Sequence, residues 1–235
     1  MSRHKTYSRV SDFVMSFIGA FEERLLGQPN AIMNREDALN QMSSLMYAKT
    51  VLPQLLQSRY EEGPFVFALT DVHRSNIFVD EHWNISRIID LEFACSWPIE
   101  FLQPPYWLDG RCIDEIDATT FAPYHAEFLE HLKREEMIRE DTANREPLSS
   151  MMQRSWIQGD FWVTLAVAEP IAFTTIFFNR ILKGFFEISQ DELEKADNWE
   201  IARLWRKNTC DIIHKKLKDR DRYLEELRCI FADNV

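Results

Sequence analysis

Between Leu69 and Glu92 the sequence sets an aspartate, Asp71, five positions ahead of an asparagine, Asn76, and places a second aspartate, Asp90, at the end of a later apolar run. Carboxylates and carboxamides are hard oxygen donors, and magnesium selects such donors. A carboxylate can also orient an attacking hydroxyl and accept its proton. Transfer of a phosphoryl group from a nucleotide to an alcohol needs both services in one pocket. A loop with Asp71 at one end and Asn76 at the other can aim both at one place, and a hairpin can return Asp90 to the same rim. The spacing alone is a weak signal, because Asp and Asn also favour turns.

The elements that must carry this set follow from the apolar pattern. Phe13, Val14, Phe17, Ile18, Phe21 and Leu25 recur at helical spacing and predict a helix from Ser11 to Leu26, with Ser11 or Asp12 as its cap. A second helix opens at Asn34 and carries Leu39, Met42, Leu45, Met46 and Ala48, with Pro53 expected to kink or end it. Gly63-Pro64 breaks the helical pattern. Short apolar runs at Phe65–Leu69, Ile77–Asp80 and Ile85–Ile89 then read as strands, the last two joined by the turn Glu81–Asn84 into a small hairpin. After Glu92 the chain reads as irregular through Pro98, Pro104 and Pro105. Helix returns from about Thr119 and dominates to the end, including amphipathic segments at Leu193–Leu217 and Tyr223–Phe231. The charged run Lys215–Arg222 reads as a solvated helix end. The fold class is mainly α (α+β), a helical scaffold with one small strand-and-loop insert. Loops on a rigid scaffold are common seats of catalytic groups.

The residues around the loop make a longer phrase. Asp71-Val72-His73-Arg74-Ser75-Asn76, Ile77-Phe78-Val79-Asp80 and Ile88-Ile89-Asp90 resemble the aminoglycoside phosphotransferase and choline-kinase-like family. Trp83-Asn84-Ile85, Leu91-Glu92, Trp97-Pro98 and Pro104-Pro105-Tyr106-Trp107-Leu108 are similar to its fungal branch. The likeness is dense from about Gly63 to Leu108 and looser on either side. It implies a protein-kinase-like C-lobe: a helical lead-in over residues 1–62, catalytic and metal-binding loops over 63–110, and a helical substrate-side region over 111–235. By position it implies that Asp71 is the catalytic base, that Asn76 is a magnesium ligand, and that Asp90 is the main magnesium ligand bridging the phosphates of ATP. His73 is then a loop-shaping or supporting residue, or else a satisfied histidine beneath the loop. Glu92 stands where the protein-kinase motif has glycine, and could orient Asp90 or meet a cation. Asp80 and Glu81 read as turn residues.

A kinase also covers its nucleotide with a glycine-rich strand turn and a strand lysine paired to a helix glutamate. Gly19, Gly27 and Gly63 form no cluster, and Lys5 and Lys49 fall in a polar tail and a helical pattern. The expectation is therefore a truncated, C-lobe-only relative in which nucleotide binding is weak and activity is in question.

Bulk properties bound the partners. The 235 residues carry a net charge of -11, which disfavours the polyanionic surfaces of nucleic acids and membranes. The four cysteines, Cys95, Cys112, Cys210 and Cys229, show neither CxxC nor metal-ligand spacing and read as reduced thiols of a cytoplasmic protein. The polar stretch Met1–Val10 is no secretory signal, and the most apolar run, Ile171–Phe178, is too short to span a bilayer. The substrate implied by the family is a small molecule with a hydroxyl. Asp109, Asp114, Glu115 and Asp117 would receive amino groups if it is cationic, or else form a solvated loop. Two other readings stand beside the phosphotransferase: a catalytically silent module that binds or scaffolds, and a magnesium-dependent hydrolase using Asp71 and Asp90, for which no phrase speaks.

Overall fold

The computed structural model describes residues 5–139, 146–189, 191–192 and 198–232. Met1–His4 of the polar N-terminal stretch, and the expected helix start at Leu193, lie outside them. The described chain is mainly helical and divides into two compact units, Met1–Leu56 with Leu165–Val235, and Gln57–Thr164.

In the first unit, helix α1 (Val10–Gly27) buries the expected apolar stripe, with Val14, Ile18 and Leu25 fully covered. Arg9 holds the cap position without a side-chain capping bond. Asp12 lies in the first turn, where a carboxylate meets the positive end of the helix dipole. Helix α2 (Arg35–Leu55) is capped as its sequence predicts: Asn34 Oδ1 accepts from the Asp37 amide at 2.9 Å, and Asp37 Oδ2 accepts from Met33 N at 2.7 Å. Pro53 neither ends nor precedes the end by much; its missing N–H falls in the last turn, and the helix stops two residues later. The apolar run near residue 171 forms α6 (Phe173–Ile176), a π-helical stretch (Phe177–Leu182) and α7 (Lys183–Phe186). Phe173 meets Phe21 edge-on at 5.2 Å and stacks on Phe177 at 5.6 Å.

After α8 (Asn198–Ala202) the expected pair of terminal helices is one, α9 (Thr209–Ala232). The interruption falls before Thr209, and the charged run sits inside the helix. Arg222 pairs with Asp219 at 3.1 Å and approaches Glu226 at 4.0 Å, so helical spacing turns these charges into neighbours. Lys216 is no solvated end residue. It is 1% exposed, and its ammonium donates to the carbonyls of Leu26 (3.4 Å) and Gln28 at the close of α1. Those carbonyls have no partner inside their own helix, and a cation there also meets the negative end of the dipole.

In the second unit, β1 (Phe65–Leu69) pairs antiparallel with β4 (Ala94–Pro98), from Phe65 opposite Pro98 to Leu69 opposite Ala94. The expected irregular stretch after Glu92 is thus a strand. Ala-Cys-Ser-Trp-Pro has little strand propensity, and tertiary pairing makes it one. Gly63 opens β1 with φ +97°, where a Cβ would lie 2.9 Å from the Phe65 nitrogen. A separate ladder joins β2 (Ile77–Val79) to β3 (Ile85–Ile88), the expected hairpin. Asp80 serves its turn, accepting from the amides of His82 (2.8 Å) and Asn84 (2.9 Å), bonds that lower its pKa. Helices α3 (Ala118–Arg139), α4 (Leu148–Gln158) and the start of α5 (Asp160–Ala168) complete the unit around Phe121, Leu129, Met151, Met152 and Phe161.

Two ionisable groups are sealed in this second core. His125, 1% exposed, stacks on Trp156 at 4.6 Å with Nε2 unpartnered, and burial lowers its pKa to about 4. Glu100 is 9% exposed with Oε1 unpartnered. Burial, then repulsion from Asp160 and Glu61, raises its pKa to about 7, against the opposing Gln57 amide and Arg59. Gln57 also donates through Nε2 to Asp160, whose own pKa burial raises.

These observations yield two predictions. Lys216→Met leaves the Leu26 carbonyl without its donor and the Gln28 carbonyl with only the Ala31 amide, and lowers unfolding free energy by about 1–3 kcal/mol in a urea titration. The two buried ionisable groups act in opposite directions over overlapping pH windows. Unfolded His125 binds a proton below pH 6.5 while the folded residue resists it until about 4, so its contribution to stability falls as pH drops through that window. Folded Glu100 keeps its proton up to about pH 7 while the unfolded residue loses it near 4.5, so stability falls as pH rises through that range, by at most about 1.4 kcal/mol per unit. Because the two slopes oppose each other between about pH 4.5 and 6.5, urea midpoints measured from pH 4 to 8 will fall more steeply with rising pH in His125→Phe than in wild type, and rise more steeply in Glu100→Gln.

Candidate active site

The β1–β4 ladder decides where the loops go. Because Leu69 faces Ala94, everything from Thr70 to Phe93 is an excursion that leaves and returns at one place. Thr70 locks this closure twice: its amide and its Oγ1 both donate to the Phe93 carbonyl, at 2.9 and 3.0 Å. Asp71 therefore leaves the ladder beside the Asp90–Phe93 segment.

Within the excursion, Asn76 is the hub. Its Nδ2 donates to the Asp71 carbonyl at 3.2 Å, its amide donates to the His73 carbonyl at 2.9 Å, and its carbonyl accepts from Ile89 N at 3.0 Å. The first two bonds curl residues 71–76 back on themselves and close the 3-10 turn Arg74–Asn76; the third ties that turn to the residue before Asp90. The structure thus joins Asp71, Asn76 and Asp90 through short backbone-anchored links. Asn76 Oδ1 lies 3.3 Å from Ser75 Oγ, which leaves it acceptor capacity.

His73 shapes the loop. Its Nδ1 accepts from Ser75 N at 3.3 Å and lies 2.9 Å from Ser75 Oγ, and its ring rests edge-on to Trp107 at 5.9 Å. Asp71, Asp90 and Glu92 are exposed, and their carboxylates make no hydrogen bond or ion pair among the described residues. Asp90 has φ +57°, a left-handed conformation that aspartate tolerates better than most residues. A non-glycine residue held there with nothing bonded to its side chain is the kind of local strain that clusters at functional positions.

The acidic residues after Trp107 divide. Asp109 is buried, its side chain 3% exposed, and accepts from Arg111 N at 3.0 Å; Arg111 Nε stands 3.8 Å from the other oxygen. Asp117 caps α3 through the amides of Thr119 and Thr120. Asp114 and Glu115 remain exposed. A cavity of about 560 Å³ lies between α3 and α4, lined by Leu129, Lys133, Ser149, Arg154 and Ile157 among others, and none of Asp71, His73, Asn76, Asp90 and Glu92 lines it. Among the described residues no three His, Cys, Asp or Glu side chains are grouped to hold a metal ion.

Sequence reasoning passed over Thr70 and Trp107. Trp107 Nε1 donates to the Val72 carbonyl at 3.0 Å. The pattern flanking the loop contained both residues, but a side-chain bond to a backbone carbonyl across 35 positions leaves no local signature. Comparisons with known protein families, with curated proteins and with solved structures found no match to this chain.

The strain at Asp90 is open to test. Asp90→Gly should be neutral or stabilising by up to about 1 kcal/mol, because glycine accepts positive φ freely, whereas Asp90→Ala should lose about 0.5–1 kcal/mol. Equal effects of the two substitutions in chemical denaturation would contradict a strained Asp90.

Proposed function

We propose that this chain is a phosphotransferase-like domain related to the aminoglycoside phosphotransferases and choline kinases, built to transfer the γ-phosphate of ATP to a hydroxyl of a small molecule. The observation that carries the reading is the Asn76 hub, which bonds the Asp71 carbonyl on one side and the residue before Asp90 on the other. In this reading Asp71, whose carboxylate is free, orients the substrate hydroxyl and accepts its proton. Asp90 and Asn76 Oδ1 are hard oxygen donors and fit a magnesium ion, which commonly rests on one or two protein oxygens while phosphate oxygens and water complete its shell. When bound, magnesium neutralises negative charge on the phosphate oxygens. His73 keeps the loop curled, and Glu92 remains available for a cationic group. The exposed Asp114 and Glu115 favour an alcohol that also carries an amino group. Four free, exposed cysteines favour a reducing compartment, and cytoplasmic residence is part of the proposal. No helix among the described residues is long and apolar enough to cross a membrane.

A specific observation favours a second reading, that of a silent binding or scaffolding module. From Phe67 to Phe93 the strands and loops expose large apolar side chains, among them Phe67 at 78%, Trp83 at 84%, Ile85 and Phe93. Contiguous apolar exposure of this kind marks surfaces that meet a partner.

Calorimetric titration of ATP with magnesium separates the two. The phosphotransferase reading expects magnesium-dependent binding in wild type, lost in Asp90→Asn, which keeps the residue's size and its tolerance of positive φ. The absence of binding at nucleotide concentrations of about 1 mM, equivalent to affinity weaker than about 4 kcal/mol, would favour the silent module.

A further inference from the structure

We infer that Trp107 is a positioning residue for the Asp71 loop: its indole N–H, donated to the Val72 carbonyl, fixes the peptide next to Asp71. Three successive carbonyls in this loop each have a separate donor. Asp71 O is held by Asn76 Nδ2 at 3.2 Å, Val72 O by Trp107 Nε1 at 3.0 Å, and His73 O by Asn76 N at 2.9 Å. Two of the three donors belong to the loop itself and move with it. Only Trp107 among these three refers the loop to the body of the unit.

The reference is a firm one. Trp107 lies in the 3-10 turn Tyr106–Asp109, which packs beside α3. Gly110 closes that turn with φ +79°, and a Cβ there would stand 3.4 Å from the Arg74 guanidinium, so the turn and the loop are in close approach. The His73 ring lies between Tyr106 at 6.4 Å and Trp107 at 5.9 Å. Phenylalanine at position 107 keeps a ring for His73 to rest on but removes the donor. The Val72–His73 peptide is then free to rotate, and the Asp71 carboxylate, one residue away, loses its defined direction. For catalysis this consequence rests on the phosphotransferase reading; the loop's order does not.

The test is hydrogen exchange by mass spectrometry on the full chain, comparing wild type, Trp107→Phe and a control, Trp97→Phe. Trp97 makes a similar indole bond within the same unit, to the Phe101 carbonyl at 3.2 Å, remote in sequence from the loop. Loss of one hydrogen bond should speed exchange of amides 71–76 about tenfold in Trp107→Phe and leave them unchanged in Trp97→Phe. Trp107→His, which keeps a ring N–H, should restore part of the protection. Unchanged exchange in Trp107→Phe, or equal acceleration in both phenylalanine variants, overturns the inference. Where wild type transfers phosphate, Trp107→Phe should lower kcat by roughly 10- to 100-fold with KM for ATP within about twofold, since misplacement of a reacting group costs rate more than binding. Accelerated exchange with unaltered kcat would overturn the catalytic half alone. Failure of wild type to bind ATP would count against the function proposed above, while the exchange result would still decide the role of Trp107.

Discussion

The site depends on one pairing, Leu69 opposite Ala94. A chain that must return to its point of departure brings the two ends of its excursion together whatever lies between, and here the ends carry Asp71 and the Asp90–Glu92 segment. Thr70 makes the closure specific by spending both its amide and its hydroxyl on the Phe93 carbonyl. Without β4 these residues would be neighbours only in a sequence pattern. The β2–β3 hairpin inside the excursion is secondary to this closure. A two-stranded hairpin is marginal by itself in water, and this one has every residue of β3 exposed. Its anchorage comes from the bond between Ile89 and Asn76 and from the ladder at its base.

The helices and the loop were readable because their signals are local. Apolar spacing from Phe13 to Leu25 predicts one face of α1, and Asn34 predicts the start of α2; both are local signals, within four positions of the contacts that realise them. The turn at Asp80 and the hairpin around it are similarly local. The spacing of Asp71 and Asn76 already suggested a loop with converging side chains, and Asn76 does reach back to Asp71. What the pattern could not say is which atom of Asn76 makes that reach: the nitrogen takes the backbone carbonyl, and the oxygen accepts from Ser75 Oγ at 3.3 Å.

The misreadings share a cause. Ala94–Pro98 has neither alternation nor branched residues, and it is a strand because Phe65–Leu69 lies beside it. Lys216 sits in a run of charges that looks solvated, yet helical periodicity turns that one residue inward to the end of α1. In each case the deciding partner is far away in sequence, and composition within a short window holds no information about it.

The same reasoning bears on how this loop keeps its geometry while its carboxylates stay free. Asp71, Asp90 and Glu92 are exposed and unbonded, so no interaction of their own carboxylates orders them. Order has to come from elsewhere: hydrogen bonds to the carbonyls of Asp71, Val72, His73, Asn76 and Phe93, with the His73–Ser75 contacts beside them, hold this loop. Carbonyl anchors fix peptide planes, and peptide planes set the directions in which side chains leave, without using the carboxylates that chemistry requires. A loop meant merely to cap its own ends would turn the Asp71 and Asp90 carboxylates onto nearby amides, as Asp80 and Asp117 do in the same unit. That contrast, within a single unit and between residues of one type, favours a ligand-binding role for the loop over a purely structural one.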